Sequence, residues 1–530
     1  MIRIRQLKLL VTNKESDLRI KCAKKLGIKQ EDIKEIKIVR KSIDARRKPE
    51  IYYSYIIDVK VNNEKNILKK NKDSQNIFHV DEEIDKYKFT PQGKKKMYFR
   101  PIVVGMGPAG LIAGYMLAKY GYKPIIIERG SDVDTRVKDI EEFWNINKLK
   151  KSSNVCFGEG GAGTFSDGKL NTRIKDKNNY QNILFDIFIE NGAPEEIKYL
   201  SEPHIGTDKL RKIVKNIRNK IIELGGTVKF NTCLTDIEIN DRKIVSVKIN
   251  NNEKINCNVL ILAIGHSARD TFNMLYERNI SMESKPFAVG VRIIHPQEII
   301  NINQYGTSNH KVLKNANYKL TYKSKSGRGV YTFCMCPGGY VINSSSEVGY
   351  LSINGMSNYK RDSGYANSAI IATVDNKDYG NDTLAGIRFQ QILEEKAYLI
   401  GNGSIPISLL KDYEKNTIST SFGKVNPAIK GRYTFANINN ILPDDINESI
   451  KEAINEFNKK IDGFARKDAI IAGVESRTSS PVRILRDENH ESNIKGLYPC
   501  GEGSGYAGGI TSSAIDGLIT FEKIADRYIN

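Results

Sequence analysis

Alternating apolar and polar positions open the chain. Residues 2–11 alternate as a strand, and Leu18, Cys22 and Leu26 recur at helical spacing up to Gly27. Residues 33–43 and 51–61 are β-rich, with Tyr53, Tyr55, Ile57, Val59 and Val61 at a period of two. A helical stretch over 64–71 and a strand at 77–80 complete a β-α-β-β-α-β order, a split βαβ unit. Residues 81–98, polar and containing Pro91, Gly93 and three successive lysines, read as a linker. The pattern then changes. Ile102–Val104 and Ile125–Ile127 are unbroken apolar runs suited to buried parallel strands, and between them Leu111, Tyr115 and Ala118 share a helix face. A helical passage over 131–150 carries the only tryptophan, Trp144. Residues 207–265 read as a helix over 208–224, strands near 227–233 and 243–249, and a buried strand ending in a glycine turn. From 286 to about 400 the chain is β-rich. Helical segments follow over 382–399 and 446–460, and 496–518 is a strand end, a glycine-rich turn and a helix.

Composition narrows the class. At 530 residues and 40% hydrophobic content, the chain suits about three domains with a sizeable core. No apolar run approaches the roughly 20 residues that span a bilayer. The opening MIRIRQLKLLVTNKE has no signal-peptide core or cleavage site, so a cytoplasmic protein without a membrane span is expected. Seven scattered cysteines without C-x-x-C pairs point to a reducing compartment, with no disulfide framework and no metal site. The net charge of +20 is spread over the whole chain, as on a solvated basic surface. A preference for anionic partners is the alternative, and nucleic acid is not expected among them. The same pair of readings applies to the basic segment 40–50, RKSIDARRKPE: a solvated hairpin, or a docking patch for an acidic partner or substrate.

The chemistry concentrates around Ile102–Glu128. Gly105, Gly107 and Gly110 form G-x-G-x-x-G after a strand and before a helix, and Glu128 closes the second strand 18 residues beyond Gly110. Such glycines give a tight turn, backbone approach to a pyrophosphate and close helix–strand packing, and the acid accepts bonds from a ribose 2′-OH. A glutamate there leaves no room for a 2′-phosphate. Residues 156–170, CFGEGGAGTFSDGKL, carry five glycines and read as a loop whose N–H groups, with the Thr164 and Ser166 hydroxyls, meet a flavin or its phosphates. The turn after the strand near 258 projects His266, a candidate proton donor or a turn cap, and Arg269. Cys334 and Cys336 sit two apart, which on a strand turns both thiols to one face. Burial as small apolar side chains is expected for them, redox or substrate contact being the alternative. Lys360, Arg361 and Asp362 lie on a polar loop suited to an anionic group, and Arg477 and Arg483 are further anion contacts.

The segment GLYPCGEGSGYAGGITSSAIDGL resembles the late return of glutathione-reductase-type and p-hydroxybenzoate-hydroxylase-type FAD proteins to their first fold. There Glu502 would meet the ribityl–phosphate region and the final helix would aim its N-terminus at the flavin. AIGHSARD, with Gly265, resembles the A-x-G turn that closes over FAD. Together with GEGGAGTFSDGKL, KPFAVGVRIIHP, GVYTFCMCPGG and VESRTSSPVRI, these blocks resemble the uncharacterised FAD-dependent dehydrogenases of the glutathione-reductase-like superfamily. The resemblance implies that Gly105, Gly107, Pro108, Ala109, Gly110, Glu128 and Arg129 hold the adenosine diphosphate half. It places Gly163, Thr164, Gly501, Glu502, Gly508, Gly509 and Ile510 at the ribityl chain and isoalloxazine. The expected fold is α/β: a Rossmann-like FAD-binding domain (99–285 and 465–530) with an inserted β-rich substrate domain (286–464), preceded by a ferredoxin-like α+β domain (1–95). The expected activity is FAD-dependent oxidoreduction of a small-molecule substrate, an anionic one being one reading, with His266, Arg269 and Arg477 as catalytic candidates. An RNA-modifying flavoenzyme and a non-catalytic flavin-binding partner are the alternatives. No second glycine fingerprint follows, so NAD(P)H is expected only as a transient electron donor.

Overall fold

The computed structural model describes residues 1–81, 87–172, 176 and 178–530. Strands Leu497–Pro499, Leu260–Leu262, Ile102–Val104, Ile125–Ile127 and Thr227–Lys229 lie side by side in that order, all parallel. Their unbroken apolar character has a simple cause: both faces are covered. Val103, Ile126 and Ile261 pack with Pro108–Lys119, Thr207–Glu223 and Ile510–Ala525. Ile102, Val104, Leu260 and Leu262 face the antiparallel meander Leu234–Asn240, Lys243–Ile249, Glu253–Asn256.

A seven-stranded sheet forms the second body. Its order is Thr321–Lys323, Gly329–Cys336, Tyr365–Val374, Phe287–Pro296, Ile470–Glu475, Ile405–Leu409, Tyr433–Phe435. Ile470–Glu475 is buried throughout and pairs with strands on both sides, so this sheet extends past the boundary expected at 464. Helices Ala385–Ile400 and Asp444–Asn458 pack on it, and the core there includes Ile293, Ile370, Ile450 and Ile471.

The first 80 residues form a separate antiparallel sheet in the order Ile33–Arg47, Glu50–Val61, Ile2–Leu10, Ile77–His79, backed by Asp17–Leu26 and Glu64–Lys70. It is docked through its first edge: Lys41 N–H donates to the Tyr199 carbonyl, and Ser201 N–H donates to that of Lys41. Of the expected linker, residues 82–86 lie outside the described residues. The remainder is strapped to the body. Tyr87 donates to Glu522, Phe89 packs edge-on against Phe521, and Lys95–Lys96 pairs with Tyr528–Ile529. Its aromatic residues, rather than its lysines, set its course.

Candidate functional site

Gly105 has φ of +93°, and a Cβ there would lie 2.3 Å from the Ala263 carbonyl oxygen. At Gly110 a Cβ would lie 2.0 Å from the Gly105 carbonyl oxygen. These contacts fix a tight turn and seat the helix Pro108–Lys119 against the sheet. Gly107 is its N-cap, Pro108 its first residue, and no side chain caps the end. The free N–H groups and the positive dipole end therefore face outward, as an anion site requires. Gly501 turns the chain back beside this helix: a Cβ on it would touch that of Ala109, and its N–H donates to Asp516 of the final helix. That helix starts at Ile510, whose side chain lies against Gly163. Around Gly508 a Cβ would meet nothing within 4 Å, and around Gly509 only the Ser512 hydroxyl. Two helix N-termini and the 156–170 loop thus border one open space.

Glu128 is buried and ties three segments together. Oε2 accepts from Met106 N–H, and Oε1 accepts from Gly130 and Gly158 N–H. A carboxylate has about four acceptor sites, so one remains for a ribose hydroxyl. Arg129 is committed elsewhere: it donates to both Asp270 oxygens and to Thr271, with its guanidinium over the Phe157 ring. Ser166 donates to the Gly163 carbonyl, whereas the Thr164 hydroxyl is buried without a partner.

Arg136 holds the loop, and the motif pattern does not single it out. Fully buried, it donates to the carbonyls of Asn154, Val155, Gly158, Glu159 and Gly161 and lies over the Phe165 ring. Burial lowers its guanidinium to about 10, so it stays charged at neutral pH. One signal was present. Val133, Arg136, Ile140 and Phe143 make the buried stripe of the helix Val133–Ile146, with an arginine in an apolar slot.

His266 meets Glu502, donating from Nδ1 to Oε1, and Gly265 lies against Gly503. Arg477, expected as an anion contact, and Arg269, a catalytic candidate with it, share an internal carboxylate. Both clasp the fully buried Glu394, with Nη-to-carboxylate distances of 2.7–2.9 Å. Arg477 also donates to Ser267 and Ser346. Arg483 pairs with Glu283, and Arg361 with Asp167.

The donor set fits a dinucleotide diphosphate: an uncapped helix N-terminus, a charged guanidinium behind a glycine loop, an acceptor at the end of the second strand, and glycines bordering open space. Comparison with known proteins agrees in kind. The family described as "FAD-dependent protein, C-terminal domain-like" matches residues 286–478, and a domain of unknown function, DUF8436, matches residues 1–60. An uncharacterised protein of Clostridium beijerinckii is 48% identical over 533 residues, covering 99% of each chain. Among solved structures, L-proline dehydrogenase from P. horikoshii is 14% identical with a TM-score of 0.33, covering 82% of this chain and 94% of that one. Glycine oxidase from Bacillus cereus is 13% identical with a TM-score of 0.33, covering 82% and 98%. At these scores the two likenesses carry no inference about chemistry.

Proposed function

We propose that the chain, which belongs to one family with the uncharacterised Clostridium beijerinckii protein and matches the FAD-dependent C-terminal domain-like family over residues 286–478, is an FAD-dependent oxidoreductase acting on a small anionic substrate. The observation that carries this is the convergence of the Gly107 and Gly509 helix N-termini, the Arg136-held loop and Glu128 on one open space. When bound, FAD supplies the acceptance and return of a hydride or of electrons. Glu128 takes a ribose hydroxyl, and the first N–H groups of Pro108–Lys119 take the diphosphate. The N-terminus of Ile510–Ala525 offers donors and a positive dipole end to charge developing on the ring. His266, oriented by Glu502, is the candidate to hold a proton near it. Here the ferredoxin-like reading of the first unit, the inserted β-rich substrate domain and a transient visit by NAD(P)H all remain parts of the proposal.

An anionic substrate is supported by a cavity of 670 Å³ between the first unit and the segments 196–202 and 304–317, lined by Lys41, Arg46, Lys48, Lys314 and Arg361. Asp44, Glu196 and Glu202 also line it, so cationic side chains outnumber carboxylates there.

The test is anaerobic titration of the yellow protein with dithionite, NADH and NADPH. We expect dithionite to bleach the flavin and neither nicotinamide to form a stable saturable complex. A colourless protein that ignores added FAD overturns the proposal. Glu128→Gln should weaken FAD binding by roughly 10- to 150-fold, as a charge-assisted hydrogen bond is worth about 1.5–3 kcal/mol. Calorimetric titration of the apoprotein measures this, and an unchanged affinity would remove Glu128 from the site.

A further inference from the structure

The strand Gly329–Cys336 pairs with Tyr365–Val374, and its register breaks between Phe333 and Cys336. Inside the break Cys334 has φ of +43°, a left-handed conformation uncommon for a residue with a side chain. Such positions persist only where surrounding contacts enforce them, and they cluster at functional sites. Here the contacts are plain. Arg292, fully buried, donates from Nη1 to the Cys334 carbonyl at 3.3 Å. Lys169 donates to the Met335 carbonyl. The Cys336 thiol donates to the Cys334 carbonyl at 3.2 Å and also reaches the Cys334 sulfur.

The two thiols differ in setting. Cys336 is fully buried, whereas Cys334 is half-buried. Facing Cys334 are Arg292 from the strand Phe287–Pro296 of the same sheet and Lys169 from the glycine loop, with Asp167 as the opposing charge. Arg292 is anchored by Glu475 through two hydrogen bonds, and Asp167 is drawn off by Arg361 and Ser357. His204, beside Asp167, is lowered to about 3 by burial and the nearby cations, and stays neutral. The hydrogen bond from Cys336, followed by the two cations, holds the Cys334 thiol below its ordinary range despite burial. Burial pushes the Cys336 thiol up. A thiolate beside a protonated thiol is the arrangement of an attacking and a resolving cysteine. Two hydrogen bonds link the segment of the pair to the final helix: Lys169 donates to the Met335 carbonyl, and the next residue, Leu170, accepts from Thr511 in the first turn of that helix.

We propose that Cys334 and Cys336 form a dithiol–disulfide couple that reduces a low-molecular-weight disulfide. The Cys334 thiolate bonds to one substrate sulfur as the substrate S–S bond breaks, and the other sulfur leaves as a thiolate. Cys336 then attacks the Cys334 sulfur. Its proton goes to the second departing thiol, and the new bond joins the two cysteines. Two electrons pass from the cysteine sulfurs to the substrate, which ends as one thiol and one thiolate, the thiolate taking its proton from solvent. No flavin enters these steps, so this reading and that of FAD binding fail separately.

The experiment uses the full-length protein as purified, reduced and desalted under argon. Residue-resolved alkylation with iodoacetamide across pH 5.5 to 9 gives the pH profile of Cys334, with N-acetylcysteine as reference. We expect its midpoint to lie about one pH unit or more below that of the reference, whose thiol is unperturbed near ~8.5. A midpoint at or above the reference, or no labelling of Cys334, overturns the proposal. Exposure to hydroxyethyl disulfide should then join Cys334 to Cys336 in the wild type. In Cys336→Ser the reaction should stop at a mixed disulfide on Cys334. A mixed disulfide that persists in the wild type, or that forms first on Cys336, also overturns it.

Discussion

Replacing Arg136 by leucine will strip FAD from the protein while leaving most of the chain folded. The guanidinium is the partner that the loop carbonyls of Asn154, Val155, Glu159 and Gly161 share, each at 2.7–2.9 Å. Leucine fills the apolar slot in the helix stripe but leaves those buried carbonyls unpaired. Each costs about 1–3 kcal/mol, and the loop escapes that cost by opening toward water. An open loop no longer presents the Gly158 N–H to Glu128, so two arms of the site are lost together. Loss of about 2.7 kcal/mol corresponds to roughly 100-fold in affinity, and we expect at least that for FAD. Arg136→Lys keeps the charge but has three donors on a flexible stem, and should fall between. Flavin content after desalting, with titration of the apoprotein, measures both variants. A leucine variant that retains stoichiometric flavin at unchanged affinity would show that the loop is held by other means.

Glu394→Gln should have the largest effect on stability. The carboxylate is fully buried between Arg269 and Arg477 and also accepts from Ser476. It joins the helix Ala385–Ile400, the start of the helix Arg269–Glu277 and the chain leaving Ile470–Glu475, and so couples the two bodies. Among the described residues, neutralising it leaves two buried guanidinium groups with the partly exposed Glu347 near Arg269. Removing one member of a buried ion cluster costs about 3–5 kcal/mol. Burial alone would raise the Glu394 carboxyl, but Arg269 and Arg477 overcome it and hold the group well below the usual carboxylate range. The sign follows directly. A depressed folded-state value contributes stability above the unfolded value, about 4.3, and loses it as pH falls toward the folded one. The gap between wild type and variant in urea unfolding should therefore be full at pH 7 and shrink below about pH 4. A gap that stays constant down to pH 3 would mean that the Glu394 charge is not what the cluster needs.

What could be read from the sequence and what could not divides along a physical line. The strand, glycine turn, helix and second strand of Ile102–Glu128 were legible because their determinants are contiguous. Gly105 must reach φ of +93°, Gly110 must admit a carbonyl at contact distance, and the apolar runs must be covered on both faces. The alternation of Tyr53 through Val61 and the helix stripe of Leu18, Cys22 and Leu26 were legible for the same reason. Interactions between remote residues were not. Arg477 reads as an anion contact until Glu394 is found 83 residues away. Nothing in a charged residue's neighbours states whether its partner will be a substrate or an internal carboxylate. Likewise C-x-C spacing puts two thiols on one face of a regular strand, but the bulge that turns Cys334 left-handed comes from register with Tyr365–Val374. Local sequence determined the elements and the turn that admits a dinucleotide. Only the tertiary structure decided which buried charges are neutralised from within, because that depends on which distant segments share a low-dielectric interior.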